Sequence, residues 1–260
     1  MKKNLYYRTV LRRRNAVKEF FYDIFLSACS KPRLLLEVFI RTNFGVRYFS
    51  LSTAVILTVF LALVPFWASI GFNFLARFGY GRPFEIMDFL IHDLTWYMFL
   101  AGFVAMCIDR QLEIKNEPSV FEFGRFSKSS GNIRLMFLNY QPFLKPLSIR
   151  AIETVVEPGF FLIIGLSLWL FKQHVGPLIV LCSIFYSGSY FAAYYRGDNF
   201  VMDQIDEMIF NEELTSAFID GLNPSETRGV SYYGRKPVDP EMRRRMAENF
   251  VVEDNIVIAF

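Results

Sequence analysis

Long apolar runs set the pattern of this chain. The first, LSTAVILTVFLALVPFWASIGFNFLA from Leu51 to Ala76, contains no charged residue. Two more, Ala151–Phe171 and Val175–Tyr195, are joined only by Lys172-Gln173-His174. A fourth, Met87–Ile108, opens on Asp88, His92 and Asp93 and then becomes continuously apolar. These runs show neither strand alternation nor a one-sided helical stripe. They reach the length of about 20 residues that a helix needs to cross a hydrocarbon core. The pattern therefore predicts an all-α integral membrane protein with four transmembrane helices: a first pair over 51–108 and a tight hairpin over 151–195. Pro65 removes a backbone donor inside the first span and should kink it.

The flanking segments follow different patterns. Residues 1–50 form a basic arm in which EFFYDIFLSACSKPRLLLEVFI supplies two short apolar patches interrupted by Pro32. This reads as amphipathic segments lying along the inner membrane surface. Residues 109–150 mix Gly124, Gly131 and several serines with aromatics and read as an irregular cytosolic loop. The segment 196–260 reads as a small helical cytosolic tail. Asp198 or Asn199 can cap a helix through FVMDQIDEMIFNEELTSAFIDG, with Val201, Ile205, Met208, Ile209 and Phe218 on or near one stripe and Gly221 closing it. Asp239 and Pro240 then open a second helix. Two such helices are too few for a large core of their own. The stripe is expected to dock on the 109–150 loop, on another copy or on a protein partner, or else the two helices fold back on each other.

Composition agrees with lipid contact: 53% of the 260 residues are hydrophobic and 18% aromatic, above the roughly 45–50% apolar content of soluble domains. Charge supplies the orientation. Residues 1–50 hold 11 Lys/Arg against 3 Asp/Glu, and 109–150 hold 7 against 4. The opposite connections carry only Arg77, Arg82 and Lys172. The positive-inside rule then places both termini in the cytoplasm. The first 50 residues have no long apolar core or small-residue cleavage site, so the first span is expected to act as an uncleaved anchor. Cys29, Cys107 and Cys182 have no metal or CxxC spacing and read as buried thiols. There is no N-x-S/T acceptor, and a bacterial inner membrane fits these features.

The candidate chemistry is sparse. Glu153 and Glu157 sit one turn apart ahead of Pro158. From Pro158 to Phe171 a helix rises about 21 Å at 1.5 Å per residue, short of a core of about 30 Å, so the helix starts upstream and Glu157 is shallow. Small residues at helical spacing face it in the hairpin: Ser183, Ser187, Gly188, Ser189 and Ala192. Small faces let membrane helices approach closely. Glu157 is therefore expected to lock the hairpin through Ser187 or Ser189, a packing role that outweighs a transport one. Asp88, His92 and Trp96 repeat at i,i+4 with Asp93 alongside, and the topology brings His174 to the same side. A metal or proton site is conceivable there, but an interfacial polar collar explains the residues more simply. GRFSKSSG at 124–131 lacks the glycine and the Lys-Ser/Thr pair of a phosphate loop. Arg196-Gly197-Asp198 reads as a helix exit followed by a cap.

Arg12, Arg13, Arg14 and Lys18 are expected to meet anionic lipid at the bilayer surface; lipid already accounts for their charge, which leaves direct nucleic-acid binding the weaker reading. No catalytic motif, cofactor site or metal cluster is legible. The expectation is a non-enzymatic membrane subunit or scaffold that docks a cytosolic protein partner, or a second copy, through its tail. A secretion or conjugation-type assembly is the class analogy. The alternatives are a small oligomeric transporter or channel and, with less support, a lipid-modifying enzyme.

Overall fold

The computed structural model describes residues 2–11, 16–77, 93–118, 120–139 and 147–253. Within them the chain is helical apart from one short antiparallel ladder, β1 (Lys2–Asn4) against β2 (Val251–Glu253). The principal helices are α1 (Ala16–Ile40), α2 (Leu51–Arg77), α3 (Leu94–Asn116), α4 (Ile149–Leu170), α5 (Val175–Leu214) and α6 (Pro240–Phe250). π-helical stretches lie inside α4 at Ile152–Val156 and extend α5 over Thr215–Asp220. The described chain divides into two compact units, residues 1–22 with 194–260, and residues 23–193.

Two helices among the described residues are long and apolar enough to cross a membrane, Ile149–Leu170 and Val175–Asp220. Leu51–Pro65 is a shorter apolar helix by the same measure. The helix α3 turns polar at Asp109, Arg110 and Glu113, and the start of the run predicted from Met87 lies outside the described residues. Asp88 and His92 lie outside the described residues.

In the 23–193 unit the second half of α1 is not a surface element. Leu34, Leu35, Leu36, Glu37, Val38 and Ile40 are all buried, which only a helix enclosed on every side can achieve. The amphipathic reading of this segment is thereby corrected. Pro32 sits within the continuous helix and does not divide it. Packing against α3 runs through Phe39, whose ring lies 5.5 Å from Phe99 and 6.4 Å from Phe103. Trp96 and Tyr97 of α3 donate to the carbonyls of Leu61 and Ala62 in α2, at 3.0 and 3.1 Å.

Part of the 109–150 loop is ordered against the α1–α2 connection. Asn132 and Thr42 exchange backbone bonds, Gly45 N–H donates to Ser129 and Arg47 N–H to Ser127. A Cβ at Gly45 would fall 2.3 Å from the Ser127 carbonyl oxygen, so glycine is the residue that permits this approach.

The α4–α5 hairpin is held by small residues and freed carbonyls. Pro158 has no N–H to give the Thr154 carbonyl four residues back, and Ser187 Oγ donates to that carbonyl at 2.6 Å. Ser183 Oγ donates to the Pro158 carbonyl at 2.5 Å. Nearer the turn the backbones touch: a Cβ at Gly176 would lie 2.5 Å from Trp169 N, and one at Gly165 would lie 2.9 Å from Val180 N.

The other unit has a core of its own. Phe210, Leu214, Phe218 and Ile219 surround Tyr7, and Tyr6, Val230, Tyr232 and Phe250 pack around them. The cover on the tail helix therefore includes the chain's own N-terminal residues. Asn4 secures it: its backbone N–H donates to Glu207 at 2.8 Å and its amide to Asn211 at 2.7 Å.

Candidate functional site

Three helices of the 23–193 unit each bring polar residues at helical spacing to one buried locus. Arg33, Glu37 and Arg41 stand at i, i+4 and i+8 along α1 and the residue after it, so they share a face. Glu153 and Glu157 come from α4, Tyr186 and Tyr190 from α5. Arg41, Glu37 and Glu157 are fully buried, and Tyr186 with them.

Arg41 is the centre. Its Nε and Nη2 both donate to Glu157 Oε2, at 3.1 and 2.5 Å, and Nη2 lies 3.1 Å from Glu153 Oε1. Its Nη1 donates to Tyr190 Oη at 2.5 Å and to Ser130 Oγ at 3.2 Å. Tyr186 Oη donates to the same Glu157 oxygen at 2.5 Å. A second centre forms on Glu37, which accepts from Tyr190 Oη at 2.7 Å and from Tyr48 Oη, with Arg33 Nε 3.3 Å away. Arg33 in turn donates to Tyr48 Oη at 2.5 Å and to Ser189 Oγ at 3.3 Å. The two guanidinium groups each lie 4.8 Å from the ring centre of Tyr190, an arrangement that adds cation–π attraction.

Each fully buried carboxylate, Glu37 and Glu157, has a guanidinium beside it, the condition under which charges tolerate burial, while Arg33 and Glu153 keep a little exposure. Burial opposes the charge on Arg41, but Tyr186, Tyr190 and the two glutamates outweigh it and hold its pKa above the ordinary guanidinium value. The Tyr48 phenol is pushed well above its usual value, first by burial and then by the Glu37 carboxylate. It therefore stays a proton donor to Glu37. The arrangement can clamp α1 onto the α4–α5 hairpin. Among the described residues no group of three or more metal-ligating side chains comes together.

The sequence-predicted residues fall as follows. Glu157 bonds Arg41 and Tyr186, not Ser187 or Ser189. At this level of the hairpin the carboxylate meets Tyr186. Ser183 and Ser187 reach α4 through backbone carbonyls, and Ser189 Oγ donates within its own helix to Tyr186 and accepts from Arg33. Gly188 faces Phe25 of α1, where a Cβ would stand 3.2 Å from the ring. Ala192 is buried. In the tail, Val201, Ile205 and Met208 are exposed and Ile209 is half-buried, while Phe218 is completely buried in the tail core. Phe218 does not belong to the stripe: at 3.6 residues per turn it already stands about 100° around the helix from Val201, on the face of Phe210 and Leu214. Lys18 is exposed and donates to Tyr195 Oη at 2.6 Å; Arg12, Arg13 and Arg14 lie outside the described residues. His174 Nδ1 lies 2.8 Å from Asp93 Oδ1, so the hairpin turn meets the start of α3.

Arg33, Glu37, Arg41, Tyr48, Tyr186 and Tyr190 were not singled out from the sequence. The signal present was the Arg-Glu-Arg spacing of four, hidden in a segment whose apolar patches suggested a surface helix. Compared with known proteins, the chain matches no family model, no curated protein and no solved structure, so its function is argued from its own residues.

Proposed function

We propose that this chain is a non-enzymatic membrane subunit whose four apolar segments cross a bilayer with both termini on the cytoplasmic side. In this reading the tail unit presents a docking face to a cytosolic protein. The outward apolar surface of the helices supports the first part: Ile56, Phe60, Ile163, Ile184 and Leu170 are all more than half exposed, an arrangement stable where the surroundings are lipid.

The observation that carries the second part lies in the tail. Its helix is apolar on two opposite faces. One is the core face of Phe210, Leu214 and Phe218. The other, Val201, Ile205 and Met208, is 53%, 48% and 57% exposed. The tail from Arg196 carries 13 acidic against 7 basic residues, a balance that repels anionic lipid headgroups and favours a protein partner with a basic rim around an apolar patch. A secretion or conjugation-type envelope assembly of a bacterial inner membrane remains the class that suits such a part.

Site-specific photocrosslinking in intact membranes tests this. A photoreactive residue at Ile205 should give one heterologous adduct, absent when the probe is at Glu241. An adduct only with a second copy would replace the partner by self-association, and no adduct at all would overturn the docking role. The enclosed Arg41–Glu157 pair favours a second reading, a small oligomeric transporter, because ionised groups among membrane helices commonly mark ion paths. Proton or ion flux in liposomes that is abolished by Glu157→Gln would promote it.

A further inference from the structure

A cavity of about 330 Å³ opens between the ends of α1 and α2 and the 124–131 loop. Its walls carry four cations, Lys31, Arg33, Arg47 and Lys128, and no carboxylate. The hydroxyls of Ser50 and Thr53, at the first turn of α2, line it as well. We propose that this cavity is a binding site for a phosphate-bearing anion.

The charge arrangement is the first argument. Among the described residues, Lys31, Arg47 and Lys128 form no ion pair with any carboxylate, although acids are nearly as numerous as bases in the chain, 25 against 28. Side chains free to swing toward acids are instead gathered around one concavity. Like charges so placed repel, and an anion among them reverses that cost.

The second argument is that the wall of the site is built. Arg33 is fixed from behind by Tyr48, Ser189 and Glu37. Lys128 is held in place because its neighbours Ser127 and Ser129 accept backbone bonds from Arg47 and Gly45. One preset guanidinium, three further cations and two hydroxyl donors make up the donor set that phosphate oxygens use. The stretch GRFSKSSG, which lacks the pattern of a nucleotide loop, thus contributes here through Lys128.

Phosphate of this kind has two sources, an anionic phospholipid headgroup or a soluble phosphate. The cavity adjoins Ser50 and Thr53, where the first apolar run begins. On the four-span reading, that is the cytoplasmic headgroup level. Arg33 also couples the site to the buried network, since a phosphate drawing on its guanidinium competes with Glu37.

The test uses the full chain purified in uncharged detergent. Its thermal unfolding is followed while short-chain phosphatidylglycerol, short-chain phosphatidylcholine or inorganic phosphate is titrated in. The comparison is Lys31→Gln/Arg47→Gln/Lys128→Gln, three surface changes, with Lys115→Gln/Arg134→Gln as a charge control elsewhere on the same unit. Without additive, the triple variant should melt no lower than the wild type and the control. Phosphatidylglycerol should protect the wild type and the control, with at least a tenfold loss of apparent affinity in the triple variant and no protection by phosphatidylcholine. Protection by inorganic phosphate alone, lost in the triple variant, keeps the site and assigns it to a soluble ligand. Equal protection of wild type and triple variant, or protection by neither anion, overturns the proposal. Carbonate extraction of the wild-type chain tests membrane insertion separately, so a failure of the span reading is told apart from a failure of the site.

Discussion

Replacing Arg41 with methionine is the sharpest test of the buried network. The substitution keeps most of the side-chain volume and removes the cation. Lost with it are both donations to Glu157, those to Tyr190 and Ser130, and the ion pair with Glu153. Glu157, fully buried, then keeps only the donation from Tyr186. Breaking a buried pair on one side costs about 3–5 kcal/mol because the partner charge stays behind. That is a large share of a typical total of about 5–15 kcal/mol. Restoring neutrality with Arg41→Met/Glu157→Met should recover most of the loss and leave Arg33 with Glu37. A double-mutant cycle should give a coupling of at least about 3 kcal/mol, the top of the usual range for residues in contact. Unfolding by sodium dodecyl sulfate in mixed micelles, read by tryptophan fluorescence, supplies the four free energies. Additivity within about 0.5 kcal/mol would refute the view that Arg41 and Glu157 stabilise each other.

Further outcomes follow from the same geometry. Gly176→Ala should destabilise by about 1–3 kcal/mol, since its Cβ would meet Trp169 N at 2.5 Å; Gly159→Ala, with nothing within 4 Å, should not, and thermal melting compares them. Tyr48 has a raised phenol pKa, so the fold favours its neutral form. That contribution is complete below the ordinary phenol value of about 10 and drains away as pH rises beyond it. The Tyr48→Phe variant should accordingly lose less stability than the wild type in melting curves above about pH 10. Phe218→Ala should cost the tail unit about 3–5 kcal/mol and expose 196–250 to protease, whereas Val201→Ser should leave cleavage within twofold of the wild type.

The apolar periodicity carried much of this fold. Long apolar runs marked α2, α4 and α5, and Lys172-Gln173-His174 marked the turn between the last two. Small residues at 183 and 187 also pointed to a close helix contact. What periodicity could not supply was what encloses α1. Patches broken by Pro32 look the same whether they face a membrane surface or other helices, and only the tertiary fold distinguishes them. The identity of the partner of Glu157 is hidden for a similar reason. Arg41 lies 116 residues away, and no local spacing relates the two. In the tail, the first turns of the stripe were legible at Val201, Ile205 and Met208. Phe218 belongs to the opposite face with Phe210 and Leu214, as its spacing from them already implies.

The ladder and aromatic contacts that join residues 2–11 to the tail carry a consequence for biosynthesis. The segment that completes the core of Phe210 and Phe218 leaves the ribosome before any apolar helix, and the residues it must meet leave after all of them. This unit therefore cannot close until the intervening helices have been synthesised. A chain stalled after Val175 would present Tyr6 and Tyr7 with nothing to cover them. A nascent product interrupted in this way exposes greasy aromatic surface, a feature that cellular proteases recognise.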